Sequence, residues 1–153
     1  MARDLPGDSP DRRWGTLPLV VDTSAWARAG HPDIRECWEA ALRCRRLRLS
    51  PVARLEILIH AGDGAELAEL AGLISLVQPA PFGASVARAA EAAMRMLAHR
   101  SAGAHRIPAV DYLVAAAAEA IGGAVLHYDR DYDALAEVME FESIWLAPPG
   151  SIP

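Results

Sequence analysis

Short apolar runs alternate with longer amphipathic stretches along this chain. The apolar runs have the length of strands that are buried on both faces. We expect strands at residues 17–21, 47–50, 76–79, 124–128 and 142–146. The stretches between them repeat apolar residues every three or four positions, as a helix with one buried face does. Because strands that alternate with helices pair in parallel, the predicted fold class is α/β: a three-layer sandwich with a central, mainly parallel sheet of four to five strands flanked by helices.

Two of the predicted helices carry an acid within the apolar face. Glu56 falls among the apolar positions of a helix predicted over 51–61, and Asp111 does the same in a helix predicted over 108–122. We therefore expect both carboxylates to point toward the core. The four expected core-facing stripes are Val52, Leu55, Glu56 and Ile59; Leu67, Leu70, Ala71 and Ile74; Val86, Ala90, Ala93 and Leu97; and Val110, Asp111, Val114, Ala118 and Ile121.

Two further acids come directly after predicted strands. Asp22 follows the strand at 17–21, and Asp129 follows the strand at 124–128. Ligands of open parallel sheets bind at the carboxyl ends of strands, particularly where the winding of the sheet reverses. If these two strands are neighbours and the two acid-bearing helices pack beside them, four carboxylates converge in one cleft. The candidate site is then Asp22, Glu56, Asp111 and Asp129.

A cluster of buried carboxylates needs a positive partner. An isolated buried carboxylate costs several kcal/mol or takes up a proton. A divalent cation removes that cost, and oxygen ligands without clustered His or Cys favour Mg²⁺ or Mn²⁺ over zinc. Such a cation activates water and holds phosphate oxygens during hydrolysis of a phosphodiester.

Each acid also has a simpler explanation. Asp22 could cap the helix that follows its strand, although Ser24 could do so too. Glu56 could form an ion pair with a surface arginine. Asp111 lies in the first turn of a helix, where a negative charge is favourable, and Asp131 could cap the last helix. These explanations account poorly for the combination of all four acids.

The charge balance excludes a strongly basic protein that binds nucleic acid over its whole surface. The 153 residues include 15 Lys and Arg against 20 Asp and Glu, which gives a net charge of −5. Any contact with nucleic acid must therefore be local. A candidate RNA-binding rim is the densest group of cations, although the end of a helix favours positive charge equally well. This group consists of Arg43, Arg45, Arg46 and Arg48.

The predicted domain spans 17–153, and residues 1–16 form a charged, Pro- and Gly-containing extension that we expect to be flexible. Acids and glycines interrupt the longest apolar stretch, 107–126, so no membrane span is expected. In one helix Cys37 and Cys44 would be separated by a rise of about 10.5 Å, too far for a disulfide. Free thiols favour a cytoplasmic protein.

Several motifs occur in an order that resembles a known family. The segments VVDTSAW, LSPVARLEIL, RIPAVDYLVAAAAEAIGGAVLHYDRDYDAL and a closing strand resemble the PIN-domain ribonucleases, in particular the VapC toxins of bacterial toxin–antitoxin pairs. The resemblance covers residues 18–147. It implies a parallel sheet flanked by helices, a Mg²⁺- or Mn²⁺-dependent endoribonuclease, a homodimer, and a cognate VapB-like antitoxin that blocks the cleft.

The resemblance also implies roles for individual residues. Asp131 matches a position that is often acidic and sometimes joins the site, and Ser24 matches a hydroxyl that commonly orders the first acid. Many relatives have Thr or Ser two residues before the fourth acid, where this chain has His127. The four acids of the family match Asp22, Glu56, Asp111 and Asp129.

The resulting hypothesis is a metal-dependent endoribonuclease in which Asp22, Asp111 and Asp129 hold the cation and Glu56 orients water. The alternative is a non-catalytic PIN-fold module that binds RNA or a protein. A phosphoacceptor receiver domain would need a lysine, which this chain lacks. A phosphatase of the haloacid dehalogenase type would need an acid in place of Ser24.

Overall fold

The computed structural model describes residues 9–153. The strands are β1 Leu19–Val21, β2 Leu47–Leu49, β3 Gln78–Pro79, β4 Ala124–His127 and β5 Glu142–Trp145. The α-helices are α1 Thr23–Trp26, α2 Pro32–Arg43, α3 Pro51–Leu58, α4 Gly64–Ile74, α5 Ala84–Arg100, α6 Ala109–Ala120 and α7 Asp131–Ala136. A single 3-10 turn, Pro10–Arg12, precedes β1.

The five strands form one sheet in the order β3-β2-β1-β4-β5, and every neighbouring pair is parallel. The chain winds outward from β1 to β3 and then returns to place β4 on the other side of β1. The winding therefore reverses between β1 and β4, where a crevice opens at the carboxyl ends of the strands. The predicted fold class, a parallel sheet flanked by helices, is confirmed.

The two central strands and α6 form the middle of the core. All residues of β1 and β4 are buried. Helix α6 packs against both strands and against α5. Four consecutive alanines, Ala115–Ala118, are buried in α6, and their small side chains allow the helix to lie close to the sheet. This close packing fixes the first turn of α6 beside the ends of β1 and β4.

Two predicted stripes are confirmed and two differ. The stripe of α5 is buried throughout, and in α6 Asp111, Val114 and Ala118 are buried as expected. In α3, however, Ala53 and Ile57 are the buried residues, whereas Leu55 and Ile59 are 66% and 79% exposed. In α4 the buried residue is Ile74. The apolar stripe of α3 faces an open cleft instead of the core, because Ala53 and Ile57 already supply its packing surface.

The predicted extension over 1–16 lies partly outside the described residues. Within 9–16, Trp14 is only 3% exposed, and its indole Nε1 donates to the carbonyl of Leu146 at 3.2 Å. Arg46 donates to the carbonyls of Trp14 and Leu17. The chain just before β1 is thus packed against the domain. In residues 9–153, no helix is both long and apolar enough to cross a membrane.

Candidate active site

The end of β1 places Asp22 at the switch point of the sheet. Asp22 is 4% exposed and caps the N-terminus of α1. Its Oδ2 accepts hydrogen bonds from the backbone N–H of Ser24, at 3.0 Å, and from the Ser24 hydroxyl. The same hydroxyl oxygen accepts from the backbone N–H of Tyr128 at 2.9 Å. Ser24 therefore links the ends of β1 and β4, and Asp22 both caps a helix and lies in the candidate site.

The first turn of α6 places Asp111 next to Asp22. Asp111 is 8% exposed. Its Oδ2 is buried and has no hydrogen-bond partner among the described residues. The hydroxyl of Tyr132 lies between the two acids: it donates to Asp22 Oδ1 at 2.7 Å and lies 3.4 Å from Asp111 Oδ1. Tyr132 was not predicted from the sequence as a residue of this site.

The loop after β4 carries the remaining acids of the cluster. The backbone N–H of Asp131 donates to Asp129 Oδ1 at 3.0 Å. Within residues 9–153, one group of three acids has carboxylate oxygens that all lie within 4.8 Å of one another: Asp111, Asp129 and Asp131. Asp22, which was predicted as a metal ligand, is not in this group, and its oxygens accept hydrogen bonds from Ser24 and Tyr132. Asp131, predicted as an accessory residue, is.

Glu56 lines the same cleft but is not part of this group of three acids. It is half-buried, and its Oε2 accepts a hydrogen bond of 3.2 Å from the hydroxyl of Thr23. One cleft of about 940 Å³ is lined by Asp22, Glu56, Asp111 and Asp129 together with apolar side chains of α3 and α4. The four predicted acids thus meet in one cleft, as their positions in the sequence suggested.

Burial and mutual repulsion disfavour the charged form of two acids. Burial raises the pKa of Asp111 to about 7, and the charges of Asp22, Asp129 and Asp131 act in the same direction. The pKa of Asp131 is also raised, by burial and by Asp129. Tyr132 keeps its proton, since burial and the neighbouring acids raise the pKa of its phenol well above the ordinary value.

These features fit a hard divalent cation. The group of three acids offers only oxygen ligands, which Mg²⁺ and Mn²⁺ prefer. The buried Asp111 Oδ2 has a free position for a ligand, and a cation beside it would offset the repulsion among the acids. The residues present therefore suit the kind of cation that the sequence predicted.

His127 packs in the core beneath the loop. It is 0% exposed, and its ring lies 4.9 Å from that of Tyr132 and 5.0 Å from that of Trp145, measured between centroids. Its Nδ1 accepts from the backbone N–H of Asp129 at 3.1 Å, so the proton lies on Nε2, 2.7 Å from Ser143 Oγ. The Ser143 hydroxyl in turn donates to Asp133 at 2.8 Å. Asp133, an exposed acid, ends a chain of hydrogen bonds that reaches Asp129.

The candidate RNA-binding arginines do not lie with the acids. Arg43, Arg45 and Arg46 precede β2, at the amino ends of the strands, whereas the acids follow the carboxyl ends. Arg46 donates to backbone carbonyls, as described above, and Arg48 donates to the carbonyls of Arg45 and Leu47. Arg43 and Arg45 are exposed.

An open parallel sheet with acids at its switch point defines an α/β protein with a candidate ligand site at the strand ends. Residues 19–138 match the PIN domain family, and the chain belongs to that family. The resemblance inferred from the motifs is confirmed.

Two relatives from Mycobacterium tuberculosis match nearly the whole chain. Ribonuclease VapC18 is 35% identical over 137 residues, which cover 89% of this chain and 100% of the relative. Ribonuclease VapC51 is 33% identical over 136 residues, which cover 89% and 98%.

Solved structures share the fold at lower identity. The DNA-bound VapBC complex of Salmonella typhimurium contains a chain with a TM-score of 0.67 and 18% identity, over 86% of this chain and 100% of that one. VapBC2 from Rickettsia felis, bound to a promoter DNA fragment, gives a TM-score of 0.63 at 11% identity, over 83% and 97%.

Proposed function

We propose that the protein is a Mg²⁺- or Mn²⁺-dependent endoribonuclease and the toxin of a toxin–antitoxin pair. The observation that carries the proposal is the buried, unpartnered Oδ2 of Asp111 within a group of acids at the switch point. The names of the relatives, Ribonuclease VapC18 and Ribonuclease VapC51, support the choice of RNA as the substrate.

Asp111, Asp129 and Asp131 are the residues that would hold the cation directly. Asp22 adds a fourth negative charge to the site. Its oxygens already accept three hydrogen bonds, so we expect Asp22 to contact the cation either as a ligand or through a water molecule. When bound, the cation supplies activation of water and binding of phosphate oxygens. A group of acids in a crevice of this kind repels RNA in the absence of the cation, so binding of the phosphate depends on it.

Glu56 has a different role in this proposal. It lies in the same cleft but outside the group of three acids, and Thr23 holds its Oε2. A carboxylate at this position can accept a hydrogen bond from a water molecule and orient it. We therefore assign to Glu56 the positioning of the attacking water, as the sequence suggested.

The proposed partners rest on the family resemblance and on the VapBC complexes that share this fold. We expect a cognate VapB-like antitoxin to cover the cleft and a homodimer to form, as the resemblance implies. The apolar part of the cleft suits a protein partner, since Leu55 and Ile59 are exposed beside the acids. A cytoplasmic location stays a prediction.

The test is cleavage of structured RNA by the purified full chain with and without Mg²⁺ or Mn²⁺. We expect metal-dependent cleavage that leaves 5′-phosphate ends, and a loss of at least 100-fold in rate for Asp129→Asn, since one ligand charge is removed. Asp33→Asn is the matched control, because Asp33 is an exposed acid on α2, 75% accessible at its side chain. Its rate should equal that of the parent.

Equal cleavage by the parent and Asp129→Asn would contradict the proposal, since a contaminating nuclease would explain it. Full survival of RNA with excess Mn²⁺, together with retained RNA or protein binding, would instead establish the non-catalytic module. The two results separate the proposed function from its alternative.

A further inference from the structure

Tyr132 is placed where its hydroxyl reaches two acids from different parts of the fold. It is the second residue of α7 and is 0% exposed. Its hydroxyl lies 2.7 Å from Asp22 Oδ1, at the end of β1, and 3.4 Å from Asp111 Oδ1, in α6. One side chain from a third element thus joins the two most buried acids of the cleft.

The two contacts differ in strength. A phenol carries a single hydrogen, and 2.7 Å is the usual length of an O–H···O bond, so the hydrogen points to Asp22. The contact with Asp111 Oδ1, at 3.4 Å, is weaker than the bond to Asp22. The other oxygen of Asp111, the buried Oδ2, has no hydrogen-bond partner among the described residues. The hydroxyl therefore holds Asp22 and lies beside Asp111, but it does not occupy the free position of Asp111.

We propose that the Tyr132 hydroxyl is a positioning group that holds Asp22 in place beside Asp111 for the divalent cation. The inference rests on the proposed cation site but not on RNA cleavage. Two adjacent carboxylates repel each other, and a donor between them offsets part of that repulsion. The acids are then already close together when the cation arrives. Outer partners of metal ligands typically change metal affinity by about 10- to 100-fold.

The packing of the Tyr132 ring does not require the hydroxyl. The ring contacts His127 in a tilted arrangement with centroids 4.9 Å apart. Phenylalanine would keep that contact and fill the same space, so Tyr132→Phe removes only the hydrogen-bonding group. Tyr112 offers a matched control, since it is 1% exposed and its hydroxyl donates to the backbone carbonyl of His105 at 2.9 Å.

The first experiment measures Mn²⁺ binding to the full chain by calorimetry. We expect Tyr132→Phe to bind Mn²⁺ about 10-fold more weakly than the parent, and Tyr112→Phe to stay within twofold. In RNA cleavage the half-saturating Mn²⁺ concentration should rise by a similar factor, while the rate at saturating Mn²⁺ stays within a few-fold of the parent. A general loss of structure would lower that maximal rate as well.

Several results would overturn the inference. Unchanged Mn²⁺ affinity in Tyr132→Phe would do so while leaving the cation site intact, and an equal loss in Tyr112→Phe would show a general packing effect. No Mn²⁺ binding by the parent would remove the cation site itself, and the proposed function with it.

A second experiment does not depend on the folding of Tyr132→Phe. The chain has three tyrosines, so 3-fluorotyrosine labelling gives three fluorine resonances, which Tyr112→Phe and Tyr128→Phe assign by elimination. We expect Mg²⁺ to shift the Tyr132 resonance more than that of Tyr112, whose phenol is also influenced by the charge of Asp131. A Tyr132 resonance that does not move at saturating Mg²⁺ contradicts the inference.

Discussion

Burial shifts two ionisable side chains near the cleft in opposite directions. It raises the pKa of Asp111 to about 7 and lowers the pKa of His127 to about 4. In both cases the neutral form is favoured, because a buried charge loses its hydration. For His127 the charges of nearby acids oppose this effect only in part. The imidazole is therefore neutral at physiological pH and holds the backbone of Asp129 through Nδ1.

These shifts act on stability at different ends of the pH range. Asp111 has a folded-state pKa above its unfolded value of 3.8, so its contribution is present at low pH and is lost as the pH rises through about 7. His127 has a folded-state pKa below 6.5, so its contribution is present at high pH and is lost as the pH falls toward about 4. Without a cation, the stability of the protein therefore falls at high pH because of Asp111 and at low pH because of His127.

The first prediction uses Asp111→Asn to remove the high-pH loss. With a chelator present, we expect the stability of the variant relative to the parent to increase by about 2 kcal/mol between pH 5 and pH 7, because only the parent must ionise a buried acid. Urea unfolding at several pH values measures this difference. Asp33→Asn, which changes an exposed acid, should show the same dependence of stability on pH as the parent. If Asp111→Asn also shows that dependence, the pKa of Asp111 is not raised and the prediction is wrong.

At the level of helices and strands, the sequence predicted where the acids lie along these elements better than it predicted whether a helix face is buried in the core. Asp22 and Asp129 were expected at the ends of adjacent strands because apolar runs followed by acids mark strand ends, and both lie there. Glu56 was expected to point to the core, but the stripe that includes it faces the cleft. An apolar stripe shows that a helix face is covered or lines a groove, and periodicity alone does not distinguish the two.

Other features of the site have no clear signal in the sequence. Tyr132 occupies a buried position of α7, where a phenylalanine would produce the same pattern. Its hydroxyl matters because of where Asp22 and Asp111 lie in space, 110 and 21 residues away in the chain. The Ser143 hydroxyl of β5 donates to the exposed Asp133 of α7, ten residues earlier in the chain. Only a three-dimensional arrangement reveals these contacts.

The second prediction concerns the close approach of the segments that begin β1 and β4. Gly123 immediately precedes β4, and a Cβ there would lie 2.7 Å from the backbone carbonyl of Pro18. The backbone must move to admit a methyl group, so we expect Gly123→Ala to destabilise the protein by about 1–3 kcal/mol. The shift would also disturb the pairing that aligns Asp22 with the end of β4, and therefore weaken Mn²⁺ binding.

Gly72 provides the matched control for this substitution. It lies within α4, and a Cβ there would meet nothing within 4 Å. Gly72→Ala should stabilise the protein by about 0.5–1 kcal/mol, since alanine favours a helix more than glycine does. Thermal unfolding compares the two variants. A Gly123→Ala protein as stable as the parent would show that the contact with Pro18 relaxes without cost.

On the scale of the whole molecule, the acids of the cleft and the candidate RNA-binding arginines lie at opposite ends of the sheet. The acids gather at the carboxyl ends of the strands, and Arg43 and Arg45 lie at the amino end of β2. A strand of three residues is about 10 Å long, so the two ends are separated by at least that distance. Because the total charge of the protein is −5, RNA binding depends on the divalent metal ion and on local groups of arginine side chains. A short RNA held at the acids would not reach these arginines.

The last prediction is that Arg43 and Arg45 matter only for long RNA. We expect the double variant Arg43→Gln, Arg45→Gln to cleave a short oligoribonucleotide with an unchanged KM, because that substrate contacts only the cleft. For a long structured RNA the KM should rise several-fold, and the slope of log affinity against log salt should become shallower by about 1 to 2, as two phosphate contacts are lost. The double variant Arg88→Gln, Arg95→Gln removes two exposed arginines of α5 and serves as the control for total charge. If long RNA is bound equally by all three proteins, the arginines at the end of α2 interact with the helix dipole alone and the RNA path lies elsewhere. An equal effect on short and long RNA would place them beside the scissile phosphate, which their position at the amino end of the sheet does not allow.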